Sequence, residues 1–417
     1  MKSVISLFTG CGGLDLGLEG HVKVPLKCIN TDISRHWINN VTAGIATLHH
    51  NDFNTIFAND ITSSCAIAYV TYFNSVKPTP TPYVLESIVD LVKKARLGTG
   101  PLFGFSADVV TGGFPCQDFS LNGKRRGLSS TTDHTGARSS AATAENRGML
   151  YYWMMQAIDI IRPKCFIAEN VKGLALMEDV TSIIRSDFQS IGYLVLPARI
   201  LYAPQYGIPQ TRERIIFIGL RRADLTNQAL EALSDHFIDP SFDPYPKPSH
   251  RFIPTRPEHQ SVYQDATLAE PVSAGDVLLD LPEPVPGASD LSHLAYSKAA
   301  FLSNGSQGQT EINMALPGPT IRSEHHGNIE YRRLSAIRGG RYHTELAAGM
   351  PERRLSVREC ARLQSFPDDY HFVLSQSANL GAVSMSAAYK LVGNAVPPLL
   401  GYHLGRRLSE VWDRLFK

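Results

Sequence analysis

A single cysteine between a proline and a glutamine is the residue with the clearest chemical potential in this chain. Cys116 lies in the stretch TGGFPCQDFS, in the sharp turn after an apolar run that is typical of a buried strand. A thiol in such a turn is a candidate nucleophile, because the thiolate of cysteine is intrinsically very nucleophilic. For an isolated cysteine the structural alternative is a small hydrophobe that fills a gap in the core.

A carboxylate ends a second apolar run. Glu169 and Asn170 directly follow the buried strand predicted for KCFIA. A carboxylate at the end of an apolar strand is costly unless a reaction uses it or a cation pairs with it. Arg212 and Arg214 of the later stretch QTRER are the candidate cations, and the catalytic and the structural interpretations are compatible.

A glycine-rich turn follows the first apolar run, in VISLFTGCGGLDLGLEG. The order of strand, glycine turn and helix allows close backbone approach to a nucleotide-like cofactor, although such turns also occur for packing reasons. A dinucleotide fingerprint counted from Gly10 and Gly12 requires a third glycine where Asp15 stands, which argues against NAD. Asp32, about 20 residues further on, is a candidate for the ribose hydroxyls. Asp60 is a second candidate, with a helix cap or turn as its alternative.

The elements that position these residues alternate between strand and helix in the first half of the chain. VISLF, PLKCIN, ADVVTGG and KCFIAEN are predicted strands, and GMLYYWMMQAIDIIR is a predicted helix. This order predicts a doubly wound α/β fold with a mostly parallel sheet. Because ligands bind at the carboxyl ends of such strands, Cys116 and Glu169 are expected at one edge.

The second half is less regular. YLVLPARILY and RIIFIGL, joined by APQYGIPQTRE, are predicted to form an antiparallel hairpin that returns Arg212 and Arg214 to the functional edge. From about residue 223 the character of the sequence changes, and dense prolines between Pro240 and Pro286 indicate a second, irregular domain or a disordered linker. The last stretch, AAYKLVGNAVPPLLGYHLGRRL, again has helical periodicity.

The composition sets limits on the class of protein. The chain has 417 residues, 43% of them hydrophobic, and a net charge of +1, which is typical of a globular protein and says nothing about nucleic acid. The six cysteines form no C-x-x-C pair, so free thiols are expected, without a zinc site or a disulfide framework. Neither a signal peptide nor a membrane span is predicted, and a cytoplasmic location is expected.

Six motifs in order carry a family resemblance. FTGCGG, GGFPCQDFS, ENVKG, QTRERIIFIG, RLSVRECARLQSFPD and YKLVGNAVPP resemble the successive motifs of the DNA (cytosine-5) methyltransferases, across nearly the whole chain. The resemblance implies a Rossmann-like α/β fold with a doubly wound mixed sheet that binds S-adenosylmethionine, and a smaller, irregular target recognition domain. The expected catalytic domain is 1–222 with 386–417, and the expected recognition domain is 223–385.

The resemblance also implies roles for individual residues. Cys116 is the expected nucleophile, Glu169 contacts N3 and N4 of the target cytosine, and Arg214 lies by its O2. The whole expected catalytic set is Cys116, Glu169, Asn170, Arg212 and Arg214. The expected cofactor residues are Phe8, Gly10, Gly12, Gly13, Asp32, Ile33, Asp60, Ile61, Pro115, Leu150, Asn394 and Val396. The expected DNA contacts are Gln117, Ser120, Asn122, Lys124, Arg125 and Arg126.

The chain departs from the family pattern at three places. Long inserts are found at 62–107 and 128–146, and Asn122 stands where a serine is common. These departures affect the geometry of the loops and the contact of Asn122 to the flipped nucleotide. They leave the reacting set unchanged.

Three other functions compete with DNA methylation. A transfer RNA methyltransferase of the same family has the same chemistry, but the long region 223–350 favours DNA, because reading a duplex groove needs added loops. A catalytically inert DNA-binding relative has no need of the reacting set, and an NAD dehydrogenase is disfavoured by Asp15. The expected partners are double-stranded DNA and a separate restriction endonuclease. A monomer in the prokaryotic cytoplasm, without a metal, is expected.

Overall fold

The computed structural model of the chain describes residues 1–115, 149–233, 237–251, 266–303, 307–324, 326–377 and 381–417. The predicted residues that lie outside these ranges are Cys116, Gln117, Ser120, Asn122, Lys124, Arg125 and Arg126. The structure therefore describes the strand and turn before Cys116, up to residue 115. The roles of the residues outside the described ranges stay predictions.

The main sheet is mixed, as the sequence predicts. The strands of the described chain are β1 (Lys2–Leu7), β2 (Lys23–Pro25), β3 (Ile38–Thr42), β4 (Ile45–Leu48), β5 (Phe53–Asp60), β6 (Tyr83–Leu85), β7 (Val109–Gly112), β8 (Cys165–Val171), β9 (Tyr193–Val195), β10 (Arg199–Tyr202), β11 (Glu213–Arg221), β12 (Tyr331–Arg333), β13 (Arg353–Arg354), β14 (Leu374–Ser377) and β15 (Gly381–Val383). The main sheet has the order β10-β11-β8-β7-β1-β5-β6, and β9 also pairs with β11. Strand β11 runs antiparallel to β8, β9 and β10, which confirms the predicted hairpin.

Helices cover both faces of this sheet. The helices of the described chain are α1 (Gly13–Glu19), α2 (Thr31–Ser34), α3 (Ser63–Val76), α4 (Ile88–Arg96), α5 (Leu150–Ile161), α6 (Glu178–Ser190), α7 (Asn227–Ala232), α8 (Gly275–Leu278), α9 (Leu291–Leu294), α10 (His343–Ala347), α11 (Val357–Leu363), α12 (Met385–Asn394) and α13 (Pro398–Leu415). Side chains of α1, α3, α12 and α13 belong to one buried cluster, and those of α4, α5 and α6 to a second. The doubly wound α/β architecture is confirmed.

The two clusters are separated by the alternation of side chains along each strand. Val4 packs in the first cluster and its neighbour Ile5 in the second. Val109 and Val110 divide in the same way. Successive strand residues point to opposite faces, so a central strand covered on both sides must be apolar at nearly every position. The continuous apolar runs of the sequence have this cause.

The prediction of a strand at PLKCIN is wrong. Residues Leu26–Cys28 form a 3-10 turn, and the preceding β2 belongs to a separate three-stranded antiparallel sheet with β3 and β4. The position beside β1 is taken by β5, which pairs with it in parallel along its length. Residues 23–48 are therefore an insert between α1 and β5.

The C-terminal stretch that has helical periodicity contains two helices. Helix α12 ends at Asn394 and α13 begins at Pro398. Pro397 and Pro398 cause the break, because a proline lacks the backbone N–H that a helix interior requires and restricts the residue before it. The loop 395–397 between the helices passes over the start of α1, where a Cβ on Gly13 would lie 2.3 Å from the carbonyl oxygen of Val396.

Buried arginines hold the less regular region between 266 and 377. Arg353 pairs with Glu359 at 2.7 Å, and Arg358 pairs with Asp290 at 2.6 Å. A buried charge is tolerated only when it is paired and hydrogen-bonded, so these pairs fix loops that have little regular structure. The division between 1–222 with 386–417 and 223–385 stays a prediction, because residues of 355–372 pack in the same cluster as α1 and α13.

Two histidines are buried where the insert, helix α13 and the chain near 250 meet. The ring of His403 lies 4.8 Å from the ring of Trp37 in the insert. Burial lowers the pKa of His403 to about 3, with a further decrease from the nearby His250. Burial also lowers the pKa of His250, to about 4. Both imidazoles are therefore neutral in the folded protein at neutral pH.

These histidines should make the protein sensitive to acid. Below pH 6.5 the unfolded chain binds protons that the folded chain does not bind until pH about 4 or 3. The free energy of unfolding should therefore decrease as the pH is lowered below 6.5, by up to about 1.4 kcal/mol per pH unit for each histidine. We expect His403→Gln to reduce this slope, as measured by urea unfolding between pH 7 and pH 5. His371→Gln, at a side chain that is 52% exposed, is the control, and equal slopes in all three proteins would contradict the assignment.

Candidate active site

A buried ion pair stands at the carboxyl end of β8. Glu169 lies opposite Ile216 in the antiparallel pair of β8 and β11, and Arg214 lies opposite Val171. The two charged residues are therefore diagonal neighbours on one face of the sheet, within reach of long side chains. The distance from Arg214 Nε to Glu169 Oε1 is 2.7 Å, and each side chain is 10% exposed.

The ion pair allows the carboxyl group of Glu169 to be buried away from water. Burial raises the pKa of Glu169, while the nearby guanidinium groups of Arg214 and Arg212 oppose this increase. The net direction is upward, so the protonated carboxyl persists to higher pH than in water. A carboxyl group of this kind can donate a hydrogen bond as well as accept one, which is the property that general acid catalysis requires.

The chain that leads to Cys116 passes directly beside this carboxyl group. A Cβ on Gly113 would lie 2.9 Å from Glu169 Oε2, so a larger residue would displace the carboxylate. Asn170 is buried, and its side-chain amide donates to the carbonyl of Phe114 at 3.1 Å. Pro115 is the last described residue before Cys116. The structure thus brings together Glu169, Asn170 and the approach to the cysteine turn.

Arg212 does not lie in the same position as Arg214. Its guanidinium donates to the backbone carbonyls of Ile321, Gly393 and Ala395, at 3.1, 2.8 and 2.8 Å. The two arginines lie two residues apart at the start of β11, and they have different partners. Arg214 is paired with the carboxylate of Glu169, and Arg212 donates hydrogen bonds to backbone carbonyls.

The glycine turn after β1 lies at the same edge of the sheet. Gly10 and Gly12 have φ values of 58° and 78°, which favour glycine, and Phe8 has a φ of 51°. A Cβ on Gly10 would meet no atom within 4 Å, so the space above the turn is open. Asp15 supports the turn from below by accepting hydrogen bonds from Ser6 and Thr9, at 2.7 and 2.5 Å.

Asp60 is the acid that accompanies this turn. It ends β5, and its carboxylate accepts hydrogen bonds from the backbone N–H groups of Gly10 and Thr62, at 3.0 and 2.9 Å. Ile61 and Leu85 follow on the same edge and are 48% and 51% exposed. The open glycine turn, the acid and the exposed apolar side chains are a fitting surface for a nucleoside ligand with ribose hydroxyls and a flat base.

Glu86 is a further acid at this edge that the sequence predictions missed. It follows β6, and its backbone carbonyl accepts a hydrogen bond from Asn59 of β5 at 2.7 Å. Its carboxylate forms an ion pair with Lys94. The available signal was the short apolar run YVL before an acid and Ser87, whose hydroxyl caps α4. The preceding long insert hid this signal.

Only some of the other predicted cofactor residues lie near the glycine turn. Val396 lies over Gly13, and Asn394 is exposed at the end of α12. The side chain of Leu150 is buried in the second cluster. Asp32 and Ile33 lie on α2 in the insert, where the side chain of Asn30 accepts a hydrogen bond from Asp32 N. The geometry gives the ribose role predicted for Asp32 no support, because β5 occupies the position beside β1.

Two absences apply to the described part of the chain. In those ranges, no group of three histidine, cysteine or acidic residues could hold a metal ion. None of the helices placed there is both long and apolar enough to cross a bilayer.

Known relatives match this chain along its length. It is 28% identical over 420 residues to the type II methyltransferase M.BspRI of Lysinibacillus sphaericus, covering 98% of this chain and 81% of that protein. It is 25% identical to M.FnuDI of Fusobacterium nucleatum, covering 98% of this chain and 94% of that protein. The fold also matches the crystal structure of S. pombe Dnmt2 methyltransferase, with a TM-score of 0.56, 17% identity and 98% coverage of both chains.

A second solved structure gives the same result for the fold. It is a protein encoded within an E. coli prophage and assigned as a DNA modification methyltransferase, with a TM-score of 0.51, 18% identity, and coverage of 99% of this chain and all of that one. The family model of the C-5 cytosine-specific DNA methylases matches residues 2–410. The chain therefore belongs to the C-5 cytosine-specific DNA methylase family, which uses S-adenosylmethionine as its methyl donor.

Proposed function

We propose that this protein methylates C5 of a flipped-out cytosine in a specific duplex DNA sequence, as the modification enzyme of a type II system. The observation that carries the proposal is the buried pair of Glu169 and Arg214 beside the chain that leads to Cys116. The names of the relatives, which are type II methyltransferases, support the setting. The family supports the reaction.

Glu169 is the proposed general acid. Cytosine C6 accepts a nucleophile more readily when N3 receives a hydrogen bond or a proton, because negative charge develops on the ring as the nucleophile adds. The raised pKa of Glu169 supplies a protonated carboxyl group for this purpose. Arg214 holds the carboxyl group in place and contacts O2 of the base.

Cys116 is the proposed nucleophile. The other five cysteines, which the structure describes, are all buried: Cys11, Cys28, Cys65, Cys165 and Cys360. Burial raises the pKa of Cys11 and of Cys28 to about 12, which leaves almost no thiolate at neutral pH. Asn170 positions the turn by holding the Phe114 carbonyl, two residues before Cys116.

The remaining steps follow from the addition of the thiolate. When Cys116 adds at C6, the ring becomes an enamine that is nucleophilic at C5. S-adenosylmethionine, when bound, supplies the methyl group that C5 takes. Loss of the C5 proton to a base and expulsion of the Cys116 thiolate then restore the aromatic ring and leave 5-methylcytosine.

The cofactor is proposed to lie along the glycine turn. Phe8, Gly10, Gly12 and Gly13 provide backbone, and Asp60 with Ile61 forms the nucleoside side of the site. Pro115, Asn394 and Val396 are proposed to line the other side of the cofactor. These residues fix the position of the methyl donor relative to C5.

Duplex DNA must open for this chemistry. A stacked base cannot present C6 to a thiolate, so the target nucleotide is turned out of the helix at a cost of a few kcal/mol. Residues 122–148, which lie outside the described ranges, contain Lys124, Arg125 and Arg126 and are proposed to close over the DNA by contacts to phosphates. Gln117, Ser120 and Asn122 are proposed contacts near the flipped nucleotide.

The region 223–385 is proposed to read the DNA sequence. Base edges are read in a groove by side chains from loops or helices, and this region is rich in loops held by buried arginines. The transfer RNA alternative is less well supported, since the matching family model and the named prokaryotic relatives concern DNA modification. A monomer in the prokaryotic cytoplasm, with a separate cognate endonuclease, completes the proposal.

Replacing Glu169 should abolish the chemical step and leave cofactor binding intact. We expect Glu169→Gln to lower the single-turnover methylation rate by roughly 10²- to 10⁴-fold, because an amide cannot supply the proton. The wild-type rate should fall on the alkaline side as Glu169 loses its proton, and the variant should lack this limb of the pH profile. Calorimetric titration with S-adenosylhomocysteine should give a similar Kd for both proteins.

Glu213→Gln is the matched control for this variant. Glu213 is the neighbour of Arg214, and it forms a half-buried ion pair with Lys172 at 2.8 Å. Its replacement should leave the rate within about twofold, because an ion pair of this exposure has little effect. Equal loss of rate in both variants, or full activity of Glu169→Gln, would contradict the role of Glu169.

The nucleophile can be trapped. A fluorine at C5 cannot leave as a cation, so a duplex with 5-fluorocytosine at the target should remain bound to the sulfur of Cys116 after methyl transfer. We expect a complex that resists denaturation, requires S-adenosylmethionine and maps by mass spectrometry to the Cys116 peptide. Cys116→Ser should fold and form no such complex, because a neutral hydroxyl is a poor nucleophile. An adduct on Cys11 or Cys165 would refute the mechanism.

A further inference from the structure

Arg212 joins two segments that are distant in sequence. Its side chain is fully buried, and its guanidinium donates to the carbonyl of Ile321 on one side and to the carbonyls of Gly393 and Ala395 on the other. These bonds use donors on both terminal nitrogens. An arginine arranged in this way satisfies backbone that would otherwise be buried without partners.

The first segment, 393–396, packs against the glycine turn after β1, where the cofactor is proposed to bind. We call this turn the cofactor turn and the segment 393–396 the cofactor wall. A Cβ on Gly13 would lie 2.3 Å from the Val396 carbonyl oxygen and 3.4 Å from the Cβ of Ala395. The loop and the start of α1 are therefore in direct contact, with no side chain between them.

The second segment, 318–322, belongs to the region proposed to recognise DNA. It lies on the first segment backbone against backbone, since a Cβ on Gly393 would be 2.4 Å from the carbonyl carbon of Arg322. It is also tied to the entry of β11, where Thr211 N donates to the Gly318 carbonyl at 2.8 Å. Arg212 thus lies at the junction of the cofactor wall and the recognition region.

Two buried glutamines strengthen the same junction. Gln364 donates to the Ala395 carbonyl at 2.6 Å, and its own carbonyl accepts from Gln210 at 2.6 Å. Gln210 in turn accepts from the backbone N–H of Ile321 at 3.1 Å. Three side chains, Gln210, Arg212 and Gln364, therefore hold the two segments together, and we call them the junction cluster.

We infer that Arg212 is a positioning residue, which fixes the wall 393–396 against the cofactor turn and couples it to the segment 318–322. This differs from the catalytic role that the family resemblance implies for Arg212. The guanidinium is used by three backbone carbonyls, and the group that faces the Glu169 carboxylate directly is Arg214. Loss of Arg212 should therefore act first on cofactor affinity.

Arg212→Lys tests this inference because it keeps the charge. A lysine ammonium is a point donor on a flexible stem and cannot reproduce the planar fork, so at least one buried carbonyl loses its partner. We expect the Kd for S-adenosylhomocysteine in the absence of DNA to rise about tenfold, the factor of a single lost buried hydrogen bond. The pH profile of kcat at saturating S-adenosylmethionine should keep its shape, because the positive charge near Glu169 remains.

Arg354→Lys is the matched control. Arg354 is equally buried and donates to the backbone carbonyls of Ala299 and Ala300, both at 3.2 Å, and to those of Gly308 and Ile329, all within the region 266–377. This variant should lose thermal stability to a similar extent as Arg212→Lys. Its Kd for S-adenosylhomocysteine should stay within about twofold of wild type, because its hydrogen bonds do not reach the cofactor wall.

Three results would overturn the inference. They are a wild-type Kd in Arg212→Lys, an equal rise of Kd in Arg354→Lys, and a displaced pH profile in Arg212→Lys, which would indicate action on Glu169 or the substrate. If Arg212→Lys does not fold, Gln364→Met decides the question, because it removes a second hydrogen bond to the Ala395 carbonyl. A folded Gln364→Met should raise the Kd at least about threefold, within the range for one lost hydrogen bond, and an unchanged Kd would refute the coupling.

Discussion

The requirement that a carboxylate be buried at the end of an apolar strand organises this structure. Glu169 is tolerated there because Arg214 lies on the same face of the sheet, at a diagonal position of the antiparallel partner strand. Strand β11 is antiparallel to β8, and its register sets Arg214 diagonal to Glu169. Strand β10 pairs with the other side of β11. The pairing also leaves space beside Glu169 that only a glycine at position 113 permits.

The cofactor turn and the acid are related through the sheet. Strands β1 and β7 are neighbours and parallel, so the turn after β1 and the chain after β7 leave the sheet at the same edge. Buried Asp15 fixes the first turn, and Asn170 fixes the second. In the proposed mechanism, the first turn holds the methyl donor and the second leads to the nucleophile, so that rigid strands would orient one toward the other, as an orientation-dependent transfer requires.

Much of this arrangement could be predicted from the sequence. Continuous apolar runs indicated the central strands, and the cost of burying Glu169 indicated an arginine partner, with Arg212 and Arg214 as the alternatives. The structure selects Arg214, a choice that depends on strand register and on the contacts of both arginines. Register is set by pairing across the sheet, so the sequence alone could not distinguish two arginines two positions apart.

Other features could not be predicted, for physical reasons. The run PLKCIN has the composition of a strand, but the eight-residue β5 pairs with β1 instead, and Leu26–Cys28 form a 3-10 turn. Asp60, and not Asp32, therefore ends the strand beside β1. Arg212 and the junction cluster depend on contacts between residues more than 100 positions apart, as in the bonds to Ile321 and Ala395. Such contacts leave no local pattern in the sequence.

The most direct test of the central claim is bisulfite sequencing of DNA from cells that express the protein. The account predicts cytosines protected from conversion at one position of a single short sequence, and none in cells that express a folded Cys116→Ser protein. Complete conversion of cytosines in the DNA of cells with the folded, cofactor-binding wild-type protein would contradict it. Equal protection by Cys116→Ser would contradict the mechanism.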